Sequence, residues 1–476
     1  MPSFIPGRLE SGLFAFYLAI LVWAPLPFAS NRPWAAGLLV VLVSCLLLGW
    51  LLLFLAGRTS IGANAWHYGR WPLALLVLVQ CWVLLQGLPL PRPVVAMLSP
   101  EAFAWHLREG WLSLSLDPTA TRFYLLQGCA LTAAFFLTIA LINSQRRLRL
   151  LLQVLVFSGT FQAAYGAFMV LSGLEYGFLV EKYAGQGVAT GTFVNRNHLA
   201  GYLVMCLAAG IGLLLSQLAV TGGENWKQRL ERWLRLLLSA KIRLRIYLAV
   251  MVIALVLTRS RMGNVAFFTS LAFAGTLYMV ASGRFSSRVL AFLGSLLVVD
   301  MFILGRWFGF DQLVQRLEQT NPETEGRVWS NAYTWDYLQH FPLTGSGGGS
   351  YYGVFPNFQP ADLPGFYDHA HNDYLEFAVE LGLPAAAALL AVVILCAVQA
   401  LRALRTRRTP LLRGAAFAVL MTIAWAAIHS TADFNLQIPA NALTFVIILA
   451  MAVVVRALPG GAAAPFWAVK NKANNL

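Results

Sequence analysis

Charge is what this sequence has least of: 11% of its 476 residues are charged, against 59% that are hydrophobic. So little charge cannot cover the surface of a water-soluble globule of this length, which excludes a soluble enzyme or binding domain. Cysteine is scarce as well. Cys45, Cys81, Cys129, Cys206 and Cys396 all fall inside apolar runs, where a free thiol behaves as a small hydrophobe. That placement argues against a disulfide framework, and no CxxC pair is present to found a metal motif. Acids are fewer than bases, 20 to 34, which leaves a net charge of +14. The glycines between Gly345 and Gly353 are followed by no Lys-Ser or Lys-Thr, so they do not make a nucleotide-binding P-loop and read as a tight passage of backbone.

What the sequence has instead is apolar runs of about 20 residues, the length that crosses roughly 30 Å of hydrocarbon as helix. They recur along the whole chain rather than once at the start, so a cleavable leader is not expected. The pattern predicts an all-α polytopic membrane protein with about twelve spanning helices, near 11–30, 34–56, 71–90, 122–143, 150–174, 198–220, 243–261, 263–282, 288–305, 376–401, 413–433 and 438–457. An even number puts both termini on one side of the membrane. With that alternation 23 of the 34 Lys and Arg residues share the side of the termini, which makes that side cytoplasmic by the positive-inside bias. The basic balance is then a sign of topology and of contact with anionic lipid, not of nucleic-acid binding. The expected organisation is nine helices in 1–305, a periplasmic catalytic loop at 306–375, three helices in 376–457 and a cytoplasmic tail at 458–476. The segment WKQRLERWLRLLLSAKIRLR, Trp226 to Arg245, mixes bases with apolar residues at helical spacing and is expected to lie along the cytoplasmic face.

Half of all carboxylates lie between Asp311 and Glu380, in the longest polar insert, which also carries His340, His369 and His371. Four polar islands, far apart in sequence, are placed by this topology on the non-cytoplasmic side. They are GVATGTFVNRNHLAGY with Asn195, Arg196, Asn197 and His198, LTRSRMG with Arg259 and Arg261, the large loop itself, and HSTADFNLQIP with His429, Asp433 and Asn435. Arginines pinned between spanning helices on the side that disfavours positive charge point to an anionic ligand. Guanidinium groups match phosphate oxygens in a bidentate way and keep their charge, so Arg261, Arg327, Arg196 and Arg259 are candidates to hold a lipid diphosphate. The competing use is snorkelling to headgroups, or pairing with acids such as Glu323 and Glu325.

His371 precedes Asn372 and Asp373, and Asp373-Tyr-Leu-Glu376 reads as a capping box opening the tenth helix. The positive end of the helix favours a neutral imidazole, the form a general base needs. His369 reads as a surface residue. A metal site of His369, His371 and Asp373 has only a two-residue spacing in a loop to recommend it, and no second ligand group accompanies it. Two classes other than enzyme also fit twelve spans, a polysaccharide or lipid transporter and a non-catalytic scaffold. The first more often carries charge at mid-membrane, where this chain has only Asp300. The second has no use for converging Arg and His.

GTFVNRNHLAGYL, the Ser260-Arg261 turn, Gly326-Arg327 with Trp329, PLTGSGGGSY, and His371-Asn372-Asp373-Tyr374-Leu375-Glu376 followed by Glu380-Leu-Gly resemble, in order and placement, the superfamily of O-antigen ligases and Wzy-type O-antigen and exopolysaccharide polymerases. The resemblance covers about 190–385. It implies a GT-C-like, inverting, metal-independent glycosyltransferase of the bacterial inner membrane with no cofactor and a periplasmic site. It implies an undecaprenyl-diphosphate-linked glycan as donor, and as acceptor a lipid-linked repeat in a polymerase or lipid A–core in a ligase. By the same likeness Arg261 and Arg327 grip the diphosphate and His371 deprotonates the acceptor hydroxyl. Asn195, Arg196, Asn197, Arg259, Asn372 and Asp433 complete the candidate substrate contacts. One departure is Arg259-Ser-Arg261-Met, with an extra arginine and Met262 where a small residue is usual. The stretch HSTADFNLQIPANA looks more like exopolysaccharide and capsule polymerases, which favours polymerisation over ligation.

Overall fold

A computed structural model describes residues 7–106, 110–182, 185–217, 240–282, 326–360 and 365–460, together with Gly294. Among them the regular structure is helical, and the only β pairing is two isolated bridges, Leu90 with Leu112 and Tyr176 with Glu181. The expected ninth helix at 288–305, most of the 226–245 segment and the tail from 461 lie outside the described residues.

Local chemistry sets the helix ends. α1 (Arg8–Trp23) stops ahead of Pro25 and Pro27, short of the expected boundary at residue 30. α2 (Pro33–Leu55) opens on a proline, and α3 (Ala63–Gly87) begins earlier than expected and carries Pro72 in its interior. Two short helices follow, α4 (Arg92–Leu98) and α5 (Pro100–Trp105). The Asp117 side chain accepts from the amides of Thr119 and Ala120 and so caps α6 (Pro118–Leu141), while Ser144 caps α7 (Gln145–Ser172) by accepting from Arg147 N. α7 ends on Gly173 in the left-handed conformation, φ 72°. Then come α8 (Arg196–Gln217), α9 (Ala240–Leu257), α10 (Arg261–Ser282) and α11 (Gly326–His340).

The expected tenth span is broken. α12 (Asp373–Leu381) is separated from α13 (Leu383–Thr406) by Gly382 at φ 81°, and a Cβ there would strike the backbone carbonyl of Leu343. Apolar periodicity runs through this point unbroken, so hydropathy alone does not reveal the bend. α14 (Pro410–His429) and α15 (Pro439–Ala457) complete the chain.

Nine of the described helices are long and apolar enough to cross a membrane: α2, α3, α6, α7, α8, α10, α13, α14 and α15. α1 has only 16 residues, and α9 has Lys241, Arg243 and Arg245 near its start, so neither is among the nine. Burial orders these helices. The apolar window of α8 is 94% buried and that of α2 only 22%, and α8 is enclosed by α7, α9, α10, α14 and α15. α8 meets α14 at Gly212 and Gly414, where a side chain on either would strike the other's backbone. Small residues at such a crossing let two helices approach closely where water supplies no drive to associate.

A second core lies apart from this bundle. Val95, Ala102, Leu112 and Leu114 pack with Tyr337, Phe341, Tyr351, Phe355 and Val379, so α4, α5 and the strand-like turn to Leu114 support the polar insert. The glycine-rich passage threads between them. Gln86 Nε2 donates to the carbonyls of Thr344 and Glu380 at 2.7 and 2.9 Å, and Thr121 Oγ1 donates to the Gly348 carbonyl at 2.9 Å. Gly345 has φ 68° and lies against the Glu380 carbonyl, which leaves no room for a side chain. These contacts tie the insert to the ends of α3 and α6 and thereby fix where α12 begins.

Candidate active site

The tips of α8, α12 and α14 meet at one end of the bundle. Asn195 accepts the Asn197 amide at 2.8 Å through its side chain and caps α8, which carries Asn197 and His198 in its first turn. Asn197 Nδ2 donates to Asp433 Oδ2 at 2.6 Å, and His198 Nε2 lies 3.6 Å from Asp433 Oδ1. The Asp433 carboxylate, 1% exposed, also accepts the Phe434 amide at 2.9 Å. On its other flank stands His371, with Nδ1 4.0 Å from Asp433 Oδ1. His371 adopts a left-handed backbone, φ 52°, which is uncommon for a residue with a side chain and turns its imidazole toward Asp433.

α12 is capped by Asn372, not by Asp373. The Asn372 side chain accepts from the amides of Tyr374 and Leu375, at 3.1 and 3.2 Å. Asp373 is buried beneath the turn, where its carboxylate accepts from Ser430 Oγ at 2.7 Å and its amide donates to the Ser430 carbonyl at 3.0 Å. Glu376 reaches back to His369 Nδ1 at 2.6 Å and to the Ala370 amide at 2.9 Å. The reciprocal bond that a capping box requires is therefore absent, because Glu376 is committed to His369 and Ala370.

Asp373, Glu376 and Glu380, at helical spacing, put three buried carboxyl groups on one face of α12. Burial pushes Asp373 well above the usual carboxylate range. Burial, together with the neighbouring Glu376 carboxylate, pushes Glu380 up to about 8. His369 goes the same way: burial works to lower its pKa, but the Glu376 carboxylate overrides this and holds it at about 9, an imidazolium at neutral pH.

Phe434 is the common neighbour of three imidazoles. His369 stacks on it with ring centroids 4.2 Å apart, and His198 and His371 meet it edge-on at 4.7 and 4.9 Å. Neither Phe434 nor the His369–Glu376 pair stands out in the sequence as part of a site.

The arginines frame this group. Ala189 N donates to the Leu257 carbonyl at 2.9 Å, and Gly263 lies against Ala200, so the α9–α10 turn sits beside the first turn of α8. Arg196, Arg259 and Arg261 are exposed there, with Arg259 in a left-handed conformation, φ 52°. Arg327 stands in the first turn of α11, and its side chain lies outside the described residues. The structure thus brings the first, third and fourth islands into contact and sets the second beside them. It also gives several candidate substrate contacts another use: Asn195 and Asn372 cap helices, and Asn197 and Asp433 bond to each other. Asn435 is likewise internal, donating to His429 Nδ1 at 3.0 Å and accepting from Asn441 at 2.7 Å. Among the described residues no three His, Cys, Asp or Glu side chains are grouped as a metal site would need.

Residues 246–390 match the family model described as O-antigen ligase. The chain is similar to that family over this stretch, which is less than a third of its length. The O-antigen ligase match takes in Arg259, Arg261, Arg327, His369 and His371, whereas Asn197 and His198, on α8, and Asp433 and Phe434, in the connection between α14 and α15, lie outside it. The match agrees with the resemblance of the motifs, and the apolar helices agree with a multi-pass membrane protein. Among curated proteins, none matches the chain.

Proposed function

We propose that this protein is a GT-C-like glycosyltransferase of the bacterial inner membrane that moves a glycan from an undecaprenyl-diphosphate carrier to a sugar hydroxyl, with inversion and without a metal ion. The observation that carries this reading is His371, held in a strained turn beside the buried Asp433 within the O-antigen ligase match. In this mechanism His371 Nε2 takes the proton of the acceptor hydroxyl as its oxygen attacks the anomeric carbon. The bond from that carbon to the diphosphate oxygen breaks, and the lipid diphosphate leaves with the bonding pair. The Asp433 carboxyl group faces the opposite ring nitrogen and is placed to orient the imidazole as it takes the proton; the 4.0 Å separation is one that substrate binding can tighten. Arg196, Arg259 and Arg261, with Arg327, supply fixed positive charge where the diphosphate gains negative charge, the role a metal ion plays in other transferases. The excess of basic residues expected on the side of the termini supports a periplasmic position for this end of the bundle, where a prenyl tail stays in hydrocarbon while the glycan meets water.

Polymerisation of O-antigen or exopolysaccharide repeat units is the preferred form of the reaction, on the likeness of HSTADFNLQIPANA to polymerases. Asp433 and Asn435 in this stretch are buried and offer no surface to a sugar. Ligation to lipid A–core is the second reading, favoured by the description of the matching family. Purified protein supplied with lipid-diphosphate repeat units alone distinguishes them. A ladder of longer lipid-linked glycans is the expected product, and transfer that begins only when lipid A–core is added would replace polymerisation with ligation. Absence of transfer to either acceptor would leave a carrier or transporter.

A further inference from the structure

We propose that His369 is a second functional imidazole, a fixed cation that contacts the diphosphate of the lipid-linked donor beside His371. The inference rests on the lipid-diphosphate reading given above. His369 is held more firmly than an idle surface residue requires. Its Nδ1 is bonded at 2.6 Å to Glu376, which is itself 2% exposed and whose second oxygen is occupied by the Ala370 amide. With both oxygens committed, this carboxylate cannot swing away. The ring lies nearly parallel to Phe434, at 20° and 4.2 Å between centroids, so its rotation is fixed as well.

One edge holds Nδ1 against Glu376 and one face is covered by Phe434, so the exposure that the side chain retains, 26%, belongs to its other face and its Nε2 edge. The same Phe434 ring is met by His371, so the two imidazoles share one neighbour. An N–H of an imidazolium aimed outward at that point is a charge-assisted donor for an anionic oxygen. It also has the property the arginines share with it, positive charge that is in place before the leaving group departs.

Among the described residues, charged and titratable groups surround His369 from several elements. Asp368 and His371 lie on its own segment, Asp373, Glu376 and Glu380 on α12, Asp433 behind Phe434, and His198 at the tip of α8 against the same ring. Burial works to lower the pKa of the imidazole, and Glu376, with Asp368 and Glu380, raises it to about 9. Because the cationic form is the one that binds, affinity for the diphosphate is full below that value and is lost as pH rises through it.

The test uses the full chain in nanodiscs of zwitterionic lipid, with undecaprenyl diphosphate as the probe, titrated between about pH 7 and about pH 10. A single charge-assisted hydrogen bond corresponds to an affinity change of about tenfold or somewhat more. Wild type is expected to lose about tenfold in affinity across this range. His369→Gln is expected to start about tenfold weaker and to lose nothing further, which also controls for ionisation of the probe. Glu376→Gln keeps an acceptor for Nδ1 but removes the charge, and is expected to lose its affinity at a lower pH than wild type. Equal affinity of wild type and His369→Gln at every pH, with the Glu376→Gln profile unmoved, would overturn the proposal. The difference vanishing when phosphatidylglycerol is included would overturn it too, by making the site one for a lipid headgroup. Failure of wild type to bind the probe at any pH would instead remove the lipid-diphosphate reading on which it rests.

Discussion

Replacement of His371 by alanine is expected to reduce glycan transfer by about 10²–10⁴-fold, the range over which a positioned general base contributes, while the donor still binds. The two effects separate because the imidazole acts on the acceptor hydroxyl, whereas the diphosphate is held by positive charge elsewhere in the site. Binding of undecaprenyl diphosphate and turnover of lipid-linked glycan, measured on the same preparation, check this. Turnover at the wild-type rate would end the proposal of a general base. A parallel loss of binding would move His371 from chemistry to donor recognition. A transporter, in contrast, would lose movement of its cargo and have no transfer to lose.

Asp433→Asn is expected to lower kcat by about 10²–10³-fold with KM for the acceptor little changed, the signature of a group that acts through another residue. Its carboxylate is 1% exposed, is bonded by Asn197 at 2.6 Å and stands 4.0 Å from His371 Nδ1, so it is placed to orient a base and not to touch a sugar. The asparagine has nearly the same shape and can still accept from Asn197, which limits damage to the fold. The split between kcat and KM is what a sugar-binding role would reverse, with KM rising and kcat holding. Steady-state kinetics at several acceptor concentrations, on a variant whose thermal unfolding matches wild type, makes the distinction.

Much of the fold could be read from hydrophobic length, because lipid leaves the backbone few ways to satisfy its own polar groups other than as helix. Hydropathy reads helix starts less well: α6 and α7 begin at Pro118 and Gln145, set by the Asp117 and Ser144 caps, ahead of the starts expected near 122 and 150. The bend at Gly382 escapes a reading of hydropathy, which continues through it, although Gly382 and Pro384 are helix-boundary residues; the need for a positive φ arises from the Leu343 carbonyl, which comes from a distant part of the chain. The support of the polar insert by residues 90–114 was hidden for the same reason: Val95, Leu112 and Leu114 look like any short apolar segment until Tyr337 and Phe355 are packed on them.

In the site, types of residue were legible and their partners were not. Polar islands stand out against an apolar sequence, so Asn195–His198, Arg259–Arg261, His369–Asp373 and His429–Asn435 could be named. Nothing in the sequence says that Asp433 turns inward to Asn197, or that His198, His369 and His371 share one phenylalanine ring. The capping-box pattern at Asp373 misleads because Asn372, one residue earlier, is an equally good cap, and because the buried Glu376 is taken by His369. The spacing of Asp373, Glu376 and Glu380 on one helical face was the available sign that this segment holds buried acid.

The central claim is transfer by direct displacement of a lipid diphosphate, and the anomeric configuration of the new linkage tests it most directly. Purified protein in a reconstituted membrane is supplied with a lipid-diphosphate-linked repeat unit of known configuration, and the glycan product is analysed by NMR. The account predicts a product of inverted configuration together with one released undecaprenyl diphosphate per bond formed. A product that retains the donor's configuration, or a linkage formed without release of the lipid diphosphate, would contradict it.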